Sequence, residues 1–195
     1  ATIAIAKLVK ESSPRLFEYS FSMRDKKKVK ALVTAGEPFV YVSGSYQSAN
    51  EKLTIATTIA ELDDSSGAIV FDLRQDPGLW SEKTDAELLD AQNKWQDDSA
   101  DRLPFKELRF NHCPSVAPIS VIDDESKSRL NIDMSVIRKN LESLRSNPEL
   151  VARIKSLFES KKKAFQTGLL QDERNPDERI YDGFLPDSDR ERSNH

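Results

Sequence analysis

Few residues in this sequence could support nucleophilic or metal chemistry. It contains two histidines, His112 and His195, and one cysteine, Cys113. Because adjacent side chains of an extended strand point to opposite faces, His112 and Cys113 are poorly placed to work as a base and a nucleophile. One cysteine and two histidines also cannot complete the four-ligand shell of a structural zinc ion. We therefore expect Cys113 to be an ordinary packed side chain, and we predict no catalytic residue in this chain.

Three pairs of adjacent aspartates are the remaining candidates for binding a divalent metal ion. They are Asp63-Asp64, Asp97-Asp98 and Asp123-Asp124. All three lie in predicted loops or helix starts, where acidic residues are common because they form turns and caps. The 6 glycines are scattered, so no glycine-rich phosphate-binding loop is present. The sequence thus predicts neither a metal site nor a cofactor site in this chain.

The first half of the chain contains one dense basic cluster. It consists of Lys26, Lys27, Lys28 and Lys30. Such point charges can contact a nucleic-acid backbone without reading its sequence, and the same lysines can also form a solvated helix face. The chain has 29 basic and 33 acidic side chains and a formal net charge of −4, which argues against a free-standing nucleic-acid binder. Both interpretations of the cluster therefore stay open.

Several short runs of β-branched and aromatic residues predict the strands that would position these residues. Three of them, Pro38–Gly44, Lys52–Leu62 and Gly67–Arg74, are bounded by turn-forming residues, and Phe105–Asn111 alternates in the same way. Asp63–Gly67 is predicted to be a hairpin connection in which Gly67 can supply a positive φ. Strands at this spacing predict a small antiparallel sheet or barrel.

Helices are predicted on both sides of this sheet. A capping box at Thr84–Glu87 opens one, Asp133 caps a second, and Asn147-Pro148 starts a third. The apolar stripes of these three helices, and of one that starts near Arg24, are spaced for one buried face each. They comprise Val29, Leu32 and Val33; Leu88, Leu89, Ala91 and Trp95; Met134, Ile137, Leu141 and Leu144; and Leu150, Ile154, Leu157 and Phe158. Trp80 and Trp95 are interpreted as packing anchors, with base stacking as the alternative.

The two ends of the chain differ in character. Ala1–Lys10 is apolar on nearly every side, which indicates either a core helix of this domain or a helix whose partners belong to a longer protein. We expect the second. From Gln166 onward the chain is charged and turn-rich, as a linker is. A single cysteine allows no intrachain disulfide and fits a reducing cytoplasm, and no bilayer-spanning run or signal peptide is visible.

A series of short segments occurs in a recognisable order over nearly the whole chain. They are Ala1-Thr-Ile-Ala-Ile-Ala-Lys-Leu-Val-Lys10, Pro14-Arg-Leu-Phe-Glu-Tyr19, Val42-Ser-Gly44, Ala68-Ile-Val-Phe-Asp-Leu73, Asn111-His-Cys-Pro114, Arg129-Leu130, Asn140-Leu141, Leu144-Arg145, Asn147-Pro148 and Tyr181-Asp-Gly-Phe184. No one of them is specific, but together and in this order they closely resemble the bacterial exodeoxyribonuclease I family.

The resemblance implies a DNA repair and recombination enzyme, a hydrolase that processively degrades single-stranded DNA from 3′ to 5′. The family has a Mg²⁺-dependent nuclease domain with four acidic residues and a histidine, an SH3-like barrel domain and a C-terminal helical domain. Its last catalytic aspartate lies just before the position matched by Ala1. On this interpretation residues 1–13 are the terminal helix of the exonuclease domain, residues 14–165 the SH3-like accessory domain, and residues 166–195 a linker and the start of the helical domain. The expected fold is α+β, a small antiparallel SH3-like β-barrel or sheet decorated by several α-helices.

The resemblance also implies two binding partners. The family's middle domain helps to enclose single-stranded DNA, and it helps to bind the acidic C-terminal tail of the single-stranded-DNA-binding protein in an apolar pocket rimmed by basic side chains. Tyr19 and Arg145 match positions that contribute to tail binding. This sequence departs from the family where two basic positions fall on Asp123 and Met134, and where a third is lost in a gap near Glu37.

Arg138 falls near an apolar pocket position of the family. It precedes Arg145 by seven residues, so the two share a helix face. We hypothesise that Arg138 and Arg145 together replace the missing basic rim. The alternative is that the tail site has weakened or moved.

A different class of function also stays open, that of an autonomous SH3-like peptide-binding adaptor. Such an adaptor needs an aromatic-lined groove for a proline-rich ligand. The accessory-domain interpretation is favoured, with Lys26, Lys27, Lys28 and Lys30 as DNA contacts and Tyr19, Arg138 and Arg145 as tail contacts. It predicts a cytoplasmic monomer that does not bind membranes, is inactive alone and has no cofactor of its own.

Overall fold

The protein is described from a computed structural model, which covers residues 2–44, 46, 48–93 and 103–166. The helices are α1 (Thr2–Ser12), α2 (Pro14–Ser22), α3 (Lys26–Val33), α4 (Pro77–Ser81), α5 (Asp85–Asn93), α6 (Asp124–Arg129), α7 (Met134–Arg145) and α8 (Pro148–Gln166). The strands are β1 (Phe39–Val42), β2 (Leu53–Glu61), β3 (Gly67–Asp72), β4 (Phe105–Arg109) and β5 (Ser115–Pro118). Trp95, Asp97-Asp98 and the predicted linker from residue 167 lie outside the described residues.

The strands form one antiparallel sheet in the order β4-β3-β2-β1-β5. The four predicted strands are confirmed, and so is the α+β class. The sequence analysis missed β5, which pairs with β1 so that Val116 lies opposite Tyr41. Pro118 has no N–H to donate, and proline is tolerated in a strand mainly at the edge of a sheet, which is where β5 lies.

The sheet is strongly curved. Lys106 lies on β4, three strands away from β1, yet its ammonium group donates to Ser43 Oγ just beyond β1. The same Nζ lies 5.5 Å from the centroid of the Tyr41 ring on β1. A side chain can bridge these two strands only if the sheet curls back on itself, as a small barrel does. The curvature therefore agrees with the expected barrel-like architecture.

The concave face of this sheet encloses an apolar core. The core draws on α2, α3 and all five strands, and Val29, Val33, Ala56, Ala68 and Val70 in it are fully buried. The other buried members are Met23, Phe39, Tyr41, Leu108, Phe110 and Val116. Alternate residues of the same strands, such as Ile55, Ile69 and Phe71, point to the opposite face and are also buried. Both faces of the sheet are thus covered.

The β2–β3 hairpin corrects one expectation. Gly67 does not supply the positive φ, since Ser65 does so with φ 52°. Glycine is needed at position 67 because a Cβ there would lie 2.3 Å from the carbonyl oxygen of Leu108 on β4. The close approach of β3 and β4, and not the turn, therefore selects this glycine.

Helix caps were the most predictable local features. Thr84 and Glu87 form the expected capping box, in which Thr84 N–H donates to Glu87 Oε2 at 2.7 Å and Glu87 N–H donates to Thr84 Oγ1 at 3.3 Å. Asp133 and Asn147 cap α7 and α8 as predicted. Asp76 likewise caps the short helix α4 by accepting from the Gly78 N–H at 2.8 Å.

Polar side chains fix the helices beyond β3. Buried Asn140 on α7 donates to the Leu73 carbonyl at 2.9 Å. Arg74 donates to the carbonyls of Leu130 and Asn131 at 3.0 and 3.1 Å, where α6 ends. Burial lowers the pKa of the Arg74 guanidinium, and the nearby Asp72 carboxylate opposes this shift. These bonds hold α6 and α7 to the end of β3.

The exposure of α1 decides whether it is a core helix of this domain. No residue of α1 is buried, and Ile3, Ile5 and Leu8 are 75%, 62% and 64% exposed. It is therefore not a core helix of this domain. None of the helices in the described ranges is long and apolar enough to cross a bilayer. By internal contacts the chain divides into Ala1–Leu157 and Phe158–His195, and the described part of the second unit is the end of α8.

Candidate functional site

The four predicted DNA-contacting lysines all lie on α3, but they point in different directions. Lys26, Lys27 and Lys28 are exposed, and no carboxylate pairs with them among the described residues. Lys30 is directed toward the sheet, where it pairs with Glu61 at 2.9 Å. Three of the four lysines are therefore open to an external anion.

The N-terminal end of α3 adds to this positive surface. Asp25 caps the helix by accepting from the Lys27 N–H at 2.8 Å, and three lysines follow it in the first turn. Exposed N–H groups and the helix dipole also favour anions at a helix N-terminus. Phosphate groups could approach this turn without requiring a particular base sequence.

Tyr19 is anchored to the edge of the sheet. Its hydroxyl donates to the Val116 carbonyl on β5 at 3.0 Å, and its ring packs against the apolar core. Partial burial raises the pKa of the Tyr19 phenol, so the hydroxyl stays protonated at neutral pH. The ring can line a pocket, while the hydroxyl has a structural role as well.

Arg138 and Arg145 lie on α7 and are both exposed. Arg145 Nη2 donates at 2.6 Å to the carbonyl of Gly36, a residue with φ 81° in the connection between α3 and β1. Arg145 therefore holds this connection, whereas Arg138 has no such anchor in the described part of the chain. Tyr19 and Arg145 bind different backbone carbonyls, and no hydrogen bond in the described part of the chain joins them.

The sequence analysis missed a groove between α2 and α3. It encloses about 520 Å³ and is lined by Phe17, Glu18, Phe21, Ser22, Arg24, Asp25 and Lys28. The Phe21 side chain in this groove is 54% exposed. The helical spacing of Phe17 and Phe21, four residues apart, was the available signal.

A second aromatic cluster lies inside the curve of the sheet. Tyr41 and Tyr46 meet edge to face with ring centroids 5.5 Å apart, and Lys106 Nζ lies within 6 Å of both rings. Burial raises the pKa of the Tyr41 phenol, and a hydrogen bond with Ser43 opposes this shift. Because Tyr41 is only 6% exposed, its ring stabilises the barrel and offers little surface to a ligand.

The residues first considered for chemistry are not assembled into a reactive site. His112 and Cys113 are both exposed, and Cys113 has φ 46°, so it is not the packed side chain that we expected. Asp123 serves as the N-cap of α6, and Asp64 accepts from Ser66. Within the described ranges, no group of three or more histidine, cysteine, aspartate or glutamate residues is placed to hold a metal ion.

Comparison with known proteins places this fold in a family. The family model for the Exonuclease I SH3-like domain matches residues 24–160. Exodeoxyribonuclease I of Escherichia coli is 31% identical over 197 residues, a match that covers 97% of this chain and 40% of that protein. The chain thus spans well under half the length of the curated relatives it matches.

Two solved structures are similar along nearly the whole chain. The zinc-ion-bound form of the E. coli exonuclease I complex with single-stranded DNA matches with a TM-score of 0.75 at 30% identity, covering 97% of this chain and 40% of that one. A structure of the single-stranded-DNA-binding protein and exonuclease I in complex with an inhibitor matches with a TM-score of 0.72 at 30% identity, covering 97% of this chain and 39% of that one.

A curved antiparallel sheet whose concave face is covered by helices is the architecture of an SH3-like domain. The chain belongs to the Exonuclease I SH3-like domain family, and it closely resembles the exodeoxyribonucleases I over its whole length.

Proposed function

We propose that this chain is the accessory module of a 3′→5′ exonuclease acting on single-stranded DNA. The observation that carries the proposal is the match, over 97% of the chain at a TM-score of 0.75, to an exonuclease I bound to single-stranded DNA. The catalytic carboxylates and their Mg²⁺ ions belong to a nuclease domain that this chain does not contain. The proposed parent enzyme is cytoplasmic and monomeric.

Nuclease assays on two proteins test this role. The full reading frame that encodes this chain should encode a nuclease domain before Ala1, and its product should release nucleotides from a 3′ end when Mg²⁺ is supplied. The 195-residue chain alone should release none under the same conditions. Hydrolysis by the chain alone, or a reading frame without a carboxylate-bearing nuclease domain, would contradict the proposal.

The DNA-contacting surface in this proposal is the exposed lysine turn of α3. Lys26, Lys27 and Lys28 supply positive charge that is not paired within the described fold, and Lys30 contributes least because Glu61 partly neutralises it. Replacing Lys27 and Lys28 by methionine should weaken binding of a thymidine oligonucleotide and reduce the slope of log K against log salt by about 1.4. A double variant whose affinity and salt slope are unchanged would remove α3 from the interface.

The second proposed partner is the acidic tail of the single-stranded-DNA-binding protein. Arg138 and Arg145 lie on one face of α7 and can meet carboxylates, while Tyr19 supplies an aromatic wall. Support comes from the matched positions Tyr19 and Arg145 and from the similar structure that contains exonuclease I and the single-stranded-DNA-binding protein.

Arg138 offers the sharper test of this tail site. Arg145 also bonds to Gly36, so loss of Arg145 perturbs the fold as well as any tail contact. Arg138→Ala should lower affinity for an acidic peptide ending in phenylalanine by about 5-fold or more, as for other charge-assisted contacts. Lys139→Ala, its exposed neighbour on another face of α7, is the matched control. Equal effects of the two variants, or none, would place the tail elsewhere.

The peptide-binding adaptor is the alternative function. It needs an open aromatic groove of the SH3 type. Tyr41 and Tyr46, the tyrosine pair of the sheet, are packed against each other and covered by Lys106. No specific observation favours the adaptor over the accessory module.

A further inference from the structure

Two phenylalanines on α2, the exposed Phe21 and the half-buried Phe17, form a stack. The rings of Phe17 and Phe21 have centroids 6.1 Å apart and planes inclined by 19°, so they are nearly parallel. The Arg24 guanidinium carbon lies 3.9 Å from the centroid of the Phe21 ring. Phe17, Phe21 and Arg24 therefore make a three-membered stack of flat groups along one wall of the α2–α3 groove.

Packing of the domain does not require this stack. The core of the concave face already contains Phe39 and Phe110, each 1% exposed. Phe21, by contrast, leaves 54% of its surface accessible, so it contributes little apolar burial to the fold. Exposed aromatic surface beside positive charge is a feature of sites that bind flat or anionic ligands.

Charged side chains of both signs line the groove, and further lysines follow in the first turn of α3. Lys28 lines the same groove, and Lys27 follows Asp25 in the first turn of α3. Two carboxylates, Glu18 and Asp25, also line the groove. The Asp25 carboxylate is engaged as the cap of α3, where it accepts from Lys27 N–H at 2.8 Å.

We infer that the α2–α3 groove is a base-stacking platform for single-stranded DNA, in which a nucleobase stacks on the Phe17–Phe21–Arg24 wall while Lys27 and Lys28 contact the adjoining phosphates. This inference rests on the proposed DNA-binding function and adds to it a contact with the bases. A base can stack on a guanidinium plane as well as on an aromatic ring, and every base has such a face. The platform therefore binds DNA without selecting a sequence.

The groove suits a nucleic acid better than an acidic peptide. Carboxylates are bound best by an arginine that presents its fork of N–H groups edge-on. The arginine lining this groove lies over Phe21, and the carboxylates of Glu18 and Asp25 line the same groove, where they would repel an acidic peptide but not an uncharged nucleobase. The neighbouring lysines are point charges, which follow a flexible phosphate backbone without demanding a fixed geometry.

Two oligomers of equal length separate base stacking from phosphate contact. One is a fluorescein-labelled thymidine oligonucleotide of about 12 nucleotides, and the other is its abasic counterpart. Binding of each to the full 195-residue chain is measured by fluorescence anisotropy at several salt concentrations. The variants are Phe21→Leu, Phe21→Trp and the double Lys27→Met/Lys28→Met, with Leu16→Ala as the control, because Leu16 is 59% exposed on the same helix but does not line the groove.

The expected pattern is specific to stacking. Phe21→Leu should weaken binding of the thymidine oligomer about 10-fold and leave the abasic oligomer unchanged. Phe21→Trp should restore binding, with quenching of the new indole fluorescence by thymidine DNA only. The lysine double variant should weaken both oligomers, and Leu16→Ala neither.

Other outcomes overturn the inference in distinguishable ways. If Phe21→Leu binds both oligomers like the parent chain while the lysine variant loses affinity, the platform is wrong and the DNA-binding function stands. If neither Phe21→Leu nor the lysine variant changes binding, the platform and the proposed DNA surface both fail. If Phe21→Leu instead reduces affinity only for an acidic, phenylalanine-ending peptide, the groove is a peptide site and the inference is wrong.

Discussion

Single residues in this domain show where side-chain size is constrained by neighbouring backbone. Gly67 is the clearest case, because β3 and β4 approach so closely that any side chain at this position meets the Leu108 carbonyl. We predicted that Gly67 supplies a positive φ in the hairpin connection, and this explanation of the glycine is wrong. Local turn propensity could not reveal the clash, since β4 joins β3 from almost forty residues further along the chain.

Replacing Gly67 by alanine should therefore be severely destabilising. A Cβ only 2.3 Å from a backbone oxygen cannot be accommodated unless the two strands separate. We expect a loss of about 2 kcal/mol or more in the free energy of unfolding, measured by urea denaturation. Gly44→Ala is the matched control, because a Cβ at Gly44 meets nothing within 4 Å. Equal stability of the two variants would show that the β3–β4 spacing is wrong.

Asn140 illustrates a buried polar residue that fixes the position of a helix. It is 2% exposed, and its amide donates to the Leu73 carbonyl at 2.9 Å. Asn140→Leu leaves that carbonyl without its donor, which should cost about 1 to 3 kcal/mol in a urea titration. Lys139→Leu, on the exposed side of the same helix, should change stability little. An Asn140→Leu variant as stable as the parent chain would mean that water replaces the amide.

At the scale of elements, helix starts were predicted where a capping side chain supplies a local chemical signal. Thr84, Asp133 and Asn147 act as caps within their own segments, so their roles follow from spacing alone. Strand β5 lacks such a signal. It has four residues, ends in Pro118 and is recognisable only through its pairing with β1.

The capping carboxylates make the helices sensitive to acid. Hydrogen bonds from the Ser126 side chain and backbone lower the pKa of Asp123, those from the Ser135 side chain and backbone lower the pKa of Asp133, and the Thr84 backbone N–H lowers that of Glu87. Each folded pKa lies below the unfolded value of about 4. The contribution of these groups to stability is therefore complete above that value and is lost as the pH falls through the folded pKa.

Asp133→Asn separates the cap from its charge. Asparagine also caps helices but does not titrate, so the variant should match the parent chain near pH 7. It should lose less stability between about pH 5 and pH 3, as followed by urea midpoints across that range. Glu142→Gln, an exposed residue of the same helix that caps nothing, is the control. Identical acid profiles for all three proteins would exclude Asp133 as a source of the acid sensitivity.

At the scale of the whole molecule, a curved sheet was expected, but the side-chain contacts that hold it curved were not. Residue patterns predicted which segments are strands, and the family resemblance implied a barrel. Neither indicated that Lys106 of β4 reaches Ser43 and the two tyrosines near β1. A lysine in an alternating strand is ordinarily assigned to solvent, and only the curled sheet brings aromatic faces to it.

Lys106→Met should weaken the contacts between β4 and β1 while nearly keeping the length of the side chain. It removes a hydrogen bond and a cation–π contact to each of two rings, which together should cost about 1 to 2 kcal/mol in urea unfolding. Lys155→Met is the control, since Lys155 forms an exposed ion pair with Asp63 at 3.5 Å and such pairs contribute little. A smaller effect for Lys106→Met than for Lys155→Met would mean that apolar packing alone curves the sheet.

The bond from Tyr19 to Val116 has a consequence for behaviour at high concentration. Outermost strands with free carbonyls invite another polypeptide to add to them, which leads to aggregation. By occupying a carbonyl of β5 and lying against that strand, α2 shields the margin of the sheet. The helix that bears the proposed DNA-stacking wall thus also protects β5 from pairing with another molecule. We therefore expect Tyr19→Phe, which lacks the phenol hydroxyl, to be less soluble than the parent chain.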